Sequence, residues 1–528
     1  MSSAIYLDYA ATTPVDARVA ACMAQCLTRE GVFGNPASTH VYGREARALV
    51  EDARARVAAL IGARAGDIVF TSGATEANNL AILGYVRGAR RLREKQQTSS
   101  ARSAATAAAA SATAGAAVIS ALTEHKAVLD PCRQLEREGL EVSYLSPGPS
   151  GRIEAAQLAA ALGPGTRLVS LMHANNETGA IADVAAFGAL CRAAGVALHV
   201  DAAQSAGKLS IDVEAMQIDL LSFTAHKLYG PKGIGALYVR QSQRAVLQPL
   251  LFGGGHERGL RSGTLAVHQI AGFALACELA QADREGEAAR LAVLRERLWR
   301  GIADLPGVQA NSPAENGLPG ILNVSFGGIE GESLLFGLPE LAVSSGSACN
   351  SDSDEPSYVL RALGRDREGA QSSVRFSLGR GTTGQDIDVT VAAVRREVVR
   401  LRALDGRDGP ARGDAATATA QVVASAEAGT RESGTWIKVS LQIRGQTIEE
   451  AGINAYGCPY TLKVCEWLSA ELKGRELSQA LADKLAGGPQ AWARATGTPE
   501  ERLTRLLVIE DALQSALRNT GHSAYNRP

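Results

Sequence analysis

Leu198–Gly235 reads LHVDAAQSAGKLSIDVEAMQIDLLSFTAHKLYGPKGIG. An apolar run ends on Asp201, and a second, Asp219–Phe223, delivers Thr224-Ala225-His226-Lys227 into a glycine-rich turn. Short apolar runs bounded by polar and glycine residues are the pattern of buried strands. In an open parallel sheet, ligands bind outside the carboxyl ends of the strands, so Asp201 and Lys227 are expected at one rim. A lysine and an acid placed this way suit pyridoxal phosphate (PLP). The amine forms a Schiff base, and the acid keeps the ring nitrogen protonated so that the ring can accept electrons.

Working outward, Asp67-Ile68-Val69-Phe70-Thr71-Ser72-Gly73-Ala74-Thr75-Glu76 reads as strand, glycine turn and helix start. The exposed N–H groups and hydroxyls of such a start cradle phosphate. Thr123-Glu124-His125-Lys126 and His173-Ala174-Asn175-Asn176-Glu177 end further strands. Strands alternating with helices predict an α/β fold with a mostly parallel sheet. Gln96–Gly115 is almost wholly Gln, Ser, Ala and Thr, low-complexity sequence inserted at about 88–115.

Beyond the lysine, a long helix is expected over Val267–Arg300, then an α+β region with strands Ile321–Phe326 and Ser373–Leu378 and a loop around Cys349. The organisation read from this pattern is a large domain, 15–265, and a smaller α+β domain built from 1–14 and 266–404. A flexible linker, 405–434, leads to a C-terminal α+β domain, 435–528. The linker is read from a composition rich in Gly, Ala, Thr and acids.

With 528 residues the chain holds several domains at roughly 100–200 residues each. Hydrophobic content of 46% and charged content of 21% are those of a soluble globular protein. A net charge of -1 offers no basic field for direct nucleic-acid binding. Ala101–Leu122, uncharged after Arg102, is built of Ala, Ser, Thr and Gly, whose transfer energy is too poor for a membrane span. The start, MSSAIYLDYAATTP, has neither a basic nor an apolar leader region, so no secretory signal is expected. Eight cysteines are too sparse for a disulfide framework, which points to a reducing cytoplasm.

The motifs TSGATEANN (71–79), TEHKAVLD (123–130), MHANNETG (172–179), HVDAAQSAGK (199–208) and SFTAHKLYGPKGIGALYVR (222–240) stand in one order. GGGHERGLRSGT (253–264), SSGSACNSDSDEPSYVLRALG (344–364) and VRFSLGR (374–380) follow. In this the chain resembles the PLP-dependent cysteine desulfurases of the class-V aminotransferase family, in particular the housekeeping iron–sulfur assembly type. The resemblance covers about 4–400 apart from the insertion. It implies the fold type I of PLP-dependent transferases and a homodimer.

The resemblance also implies residue roles. Lys227 holds PLP and then acts as base; Asp201 pairs with the ring nitrogen; Gln204 reaches the phenolic oxygen. Asn176 orients cofactor and substrate. Ala74, Thr75, Thr224 and His226 bind the phosphate, joined by Thr264 from the neighbouring subunit. His125 lies over the ring and moves protons, and Arg375 pairs with the carboxylate of L-cysteine. The Cys349 thiolate takes the sulfur as a persulfide and alanine leaves. The sulfur then passes to a scaffold or other acceptor protein, for iron–sulfur assembly or tRNA thiolation, with Cys349 a transient cluster ligand beside a partner. Selenocysteine lyase, another aminotransferase-like activity and a partner-recruiting platform are the competing readings; Arg375 and the Cys349 loop favour the desulfurase.

Residues of about 435–519 resemble the scaffold proteins on which iron–sulfur clusters assemble, the NifU N-terminal-like type. Ala455-Tyr456-Gly457-Cys458, Glu466-Trp467 and Ile509-Glu510-Asp511-Ala512-Leu513 carry the likeness. Of the three cysteines and one aspartate such scaffolds use, only Cys458 is matched. The other positions fall near Ser433, Thr435 and Arg505, and Cys465 does not restore the pattern. One thiol is too few for a cluster. The domain therefore reads as a degenerate scaffold, in which Cys458 either receives sulfur from Cys349 or is inert within a docking module.

Overall fold

The computed structural model describes residues 4–101, 117–345, 355–406, 422–477 and 484–520. Among them, Val118–Ala121, Leu168–Met172, Ala197–Asp201 and Leu220–Thr224 are strands buried at every position. Side chains alternate across a strand, so burial of every residue requires helices on both faces. The sheet runs in the order Ile68–Thr71, Gly235–Val239, Leu220–Thr224, Ala197–Asp201, Leu168–Met172, Val118–Ala121, Val142–Leu145. Gly235–Val239 is antiparallel to both neighbours, and the remaining pairs are parallel. This is the mostly parallel α/β sheet that the sequence predicts.

Val267–Ile302 is one helix of 36 residues. Its first turns bury Val267, Ile270, Phe273 and Cys277 in the core of the large sheet. Its last turns bury Leu291, Leu294, Leu298 and Ile302 in a second core. A boundary at 266 is thereby corrected: at about 1.5 Å per residue the helix is long enough to serve both cores. The second core lies against an antiparallel sheet ordered Ser344–Ser345, Ser373–Ser377, Ile321–Phe326, Val308–Ala310. Ile5–Tyr6 pairs with Leu341–Ala342, which anchors the N-terminal segment in this domain and leads Ala10–Thr12 to the rim of the large sheet.

The linker expectation needs a larger correction. Val422–Thr430, inside the expected 405–434 linker, is a strand antiparallel to Thr435–Arg444, which pairs in turn with Thr447–Tyr456. Ala424, Ser425, Ala426, Ala428 and Gly429 give this strand a coil-like composition. Its partner supplies the apolar face, with Ile437, Val439, Leu441 and Ile443 buried against helix Leu503–Arg518. Strand identity here comes from pairing rather than intrinsic preference.

The C-terminal unit also shares its core with the smaller domain. Ser333 Oγ donates to Gly457 O at 2.7 Å, and Arg431 and Arg502 pair with Asp405 and Glu332 at 2.7 and 3.1 Å. The expected insertion begins as helix, because Tyr85–Ala101 continues into it; residues 102–116 and 407–421 lie outside the described residues. No helix among the described residues is long and apolar enough to cross a membrane.

Candidate active site

A cavity of about 620 Å³ opens at the carboxyl ends of the parallel strands and is bordered by Asp201, Lys227, His125, Asn176 and Arg375. Gln204, Ala74, Thr75, Thr224 and His226 border it as well. Residues from both domains and the N-terminal segment therefore meet in one space.

Asp201 ends its strand with both carboxylate oxygens engaged. Ala203 N donates to Oδ1 at 2.9 Å and Asn78 Nδ2 to Oδ2 at 2.7 Å. Lys227 closes the short helical turn Ala225–Lys227 after the next strand. Its Nζ donates to Ala10 O, and to Ala11 O at 2.7 Å. Gln204 Nε2 donates to Ala10 O at 2.8 Å, while its Oε1 accepts from Lys208 Nζ at 3.3 Å. A lysine can only donate, so Lys208 fixes which edge of the Gln204 amide faces the cavity.

His125 caps helix Lys126–Arg137, its Nδ1 accepting from Ala127 N at 3.1 Å. That bond assigns the proton of the neutral ring to Nε2. Burial holds the His125 pKa below the ordinary histidine value, against an upward push from Asp201 and with a smaller downward one from Lys227. Burial lowers His226 further, to about 4, so it too is neutral at pH 7. Its Nδ1 lies 3.1 Å from Thr12 Oγ1.

The helical run that starts at Ala74, the expected phosphate cradle, borders the cavity. Gly235 must be glycine, because a Cβ there would lie 2.7 Å from Gly73 Cα; Gly73 itself has φ of 157°, a conformation side chains rarely adopt. Arg375 is held by Asn176 O at 2.9 Å and by Asp8 Oδ1 at 2.7 Å. Its Nε is buried without a hydrogen-bond partner among the described residues.

Two expected residues are not brought into this cavity. Thr264 is exposed and does not border it within one chain. Cys349 lies outside the described residues. Cys458 is fully buried at the start of helix Pro459–Leu472, its Sγ 3.3 Å from Thr461 Oγ1. Among the described residues no group of three or more His, Cys, Asp or Glu side chains could hold a metal ion.

The description "Aminotransferase class-V" fits a family model matching residues 5–98 and 95–389. The chain belongs to the class-V aminotransferase family. Within this family, Cysteine desulfurase IscS of Pectobacterium atrosepticum is 54% identical over 405 residues, 76% of this chain and 95% of that protein. The protein of that name from Serratia proteamaculans gives the same figures. Among solved structures, a NifS-like protein superposes with a TM-score of 0.65 at 34% identity, covering 75% of this chain and 100% of that one. SspA in complex with cysteine gives 0.61 at 37% identity, over 71% and 99%. The family match ends before the C-terminal unit begins.

PLP is the cofactor of class-V aminotransferases, and the residues here fit it. Asp201 offers a charged acceptor, Lys227 an amine, and the Ala74 helix start free N–H groups around a glycine approach too close for a side chain. Sequence reasoning missed Asn78 and Asp8, which hold Asp201 and Arg375. Both stand inside quoted or flanking motifs, but only the fold brings each against its partner.

Glu177 was missed as well. It is almost fully buried and accepts from Ser357 Oγ. Burial pushes its pKa up from the usual 4.5 to about 7, outweighing the Ser357 hydrogen bond and Arg375. A raised carboxyl pKa gives stability that is fully present below the unfolded value and is lost as pH rises through the folded value. Glu177→Gln is therefore expected to be more stable than the wild type at pH 8, by up to about 3 kcal/mol. At pH 5, still just above the unfolded value, the gain should fall to about 1 kcal/mol or less. Denaturant midpoints at the two pH values check this; a gain confined to pH 5 would contradict it.

Proposed function

We propose that this chain is a cysteine desulfurase that removes sulfur from L-cysteine, giving L-alanine and a persulfide on Cys349. The observation that carries the reading is the convergence of Asp201, Lys227, His125 and Arg375 on one cavity at the strand ends. When bound, PLP supplies the electron sink that makes the Cβ–Sγ bond of the amino acid labile.

The protein's own groups do the rest. Arg375 binds the substrate carboxylate through its planar fork, and Asn176 orients it. Asp201 would hold the ring nitrogen of the cofactor, Gln204 would donate through Nε2 to its phenolic oxygen, and Thr75, Thr224 and His226 would hold its phosphate. Lys227 Nζ takes the proton from the substrate, and His125 supplies a proton through Nε2. The Cys349 thiolate attacks Sγ; the Cβ–Sγ bond breaks, an S–S bond forms, and the electron pair left on carbon takes a proton to give alanine. The atoms of cysteine are thereby divided between alanine and the persulfide, with no external oxidant.

A homodimer completes the cradle with Thr264, a reading supported by the exposure of Thr264 and of Phe252, which is 84% exposed. The persulfide passes to a scaffold or acceptor protein of the cytoplasm. The C-terminal unit serves as a degenerate, NifU-like docking module rather than a cluster site. Burial of Cys458, with only Cys465 near it in sequence, supports this. In the native protein, alkylation of Cys458 is expected to be slow, and Cys458→Ser should leave alanine release unchanged. Labelled sulfur on Cys458 after turnover would instead establish a relay.

The deciding experiment measures alanine and sulfide released from L-cysteine by the PLP-loaded chain in the presence of a thiol. A bound cofactor without alanine release would overturn the reading in favour of a recruiting platform.

A further inference from the structure

We infer that Asn78 is a positioning residue that sets the angle of Asp201 and so the grip on the cofactor ring. The inference rests on the assignment of Asp201 to the ring nitrogen. Asn78 is 1% exposed and belongs to the short helix Ala74–Asn79, whose first residues border the phosphate end of the cavity. Its Nδ2 donates to Asp201 Oδ2 at 2.7 Å across 123 residues of chain.

The sense of that amide is decided by chemistry. An ionised carboxylate only accepts, so the Asn78 nitrogen faces Asp201 and its oxygen faces away. That oxygen, Oδ1, is buried and has no hydrogen-bond partner among the described residues. Buried amides are normally satisfied at both ends, and an orphaned acceptor costs about 1–3 kcal/mol. Asparagine is also a poor residue for the middle of a helix. A side chain kept for packing alone would be replaced at a gain; among the described residues this one makes a single side-chain bond, and that bond is to Asp201.

The consequence is geometric. Ala203 N holds one oxygen of Asp201 and Asn78 the other, so the carboxylate plane is fixed from two sides. Each oxygen keeps a lone pair for a further donor. Asn78 thereby ties the two ends of the cofactor site together. The short helix that presents Ala74 and Thr75 to the phosphate also aims the acid that meets the ring nitrogen.

The test is a double-mutant cycle in the full-length protein, reading the PLP dissociation constant of the apo form and the absorption maximum of the bound cofactor. Asn78→Ala should weaken PLP binding about 10-fold or more, the worth of a hydrogen bond to a charged group, and should shift the band. In the Asp201→Ala background the same change should have no further effect, because Asn78 acts through Asp201. Additive effects would mean a structural role and overturn the inference, as would wild-type affinity and spectrum in Asn78→Ala. If that variant fails to fold, Asn78→Ser carries the same comparison. A wild type that takes up no PLP would sink the cofactor assignment itself, a separate outcome from these.

Discussion

Lys227→Ala is expected to lower alanine release from L-cysteine by about 10²–10⁴-fold for the lost proton-transfer group alone. On the proposed assignment the covalent hold on the cofactor goes with it, so the full effect should sit at or beyond the upper end. Lys208 faces a neighbouring cavity and is tied to Gln204, and Lys232 borders the main cavity from the turn beyond. Cys349→Ser is the matching variant on the other half of the reaction. It should keep wild-type PLP affinity and absorbance while losing persulfide formation. The two variants therefore separate cofactor chemistry from sulfur capture. Alanine release by Lys227→Ala at the wild-type rate would remove Lys227 from the site.

Glu257→Ala should be among the most destabilising single changes in the large domain. Glu257 accepts from Arg54 Nη1 and Nη2 at 2.7 and 2.8 Å and from Phe70 N at 2.7 Å. The two side chains are 1% and 2% exposed, and the guanidinium also stacks 4.6 Å from the Phe70 ring centre. Removing one partner of a buried pair costs about 3–5 kcal/mol, and the only carboxylate left to Arg54 among the described residues would be the exposed one of Glu51, 3.2 Å away. Here it also strips the Phe70 amide of its acceptor. The pair joins helix Val41–Ala59, strand Ile68–Thr71 and the turn at Glu257, and that strand leads directly to Gly73 and Ala74. Faster hydrogen exchange at the Phe70 amide and a lower denaturant midpoint should accompany weaker PLP binding. Unchanged exchange at Phe70 would show that the pair is dispensable.

Much of this site was legible before folding. Asp201 and Lys227 each follow an apolar run of four or five residues, and a parallel sheet places such strand ends on one rim. His125 and Ala74 stand at further strand ends, but it was the family motifs that singled them out. Asp8, Asn78 and Glu177 were not legible, because each acts on a group 123 to 367 positions away along the chain, or on Ser357 180 away. No local pattern encodes such a pairing. The Val422–Thr430 strand was hidden for a related reason: its small residues carry little preference of their own, and the hairpin with Thr435–Arg444 decides their state.

Two kinds of information meet at Leu198–Gly235. Hydrophobic periodicity and residue chemistry, both properties of neighbours in sequence, determined the strands, the turn after Thr224 and the acid and amine at their ends. The family motifs added the reaction. Tertiary structure alone decided what faces those groups: Asn78 on Asp201, Asp8 and Asn176 on Arg375, Lys208 on Gln204, and the burial that keeps His125 neutral. Orientation and desolvation depend on atoms brought together from distant parts of the chain, and only packing brings them together.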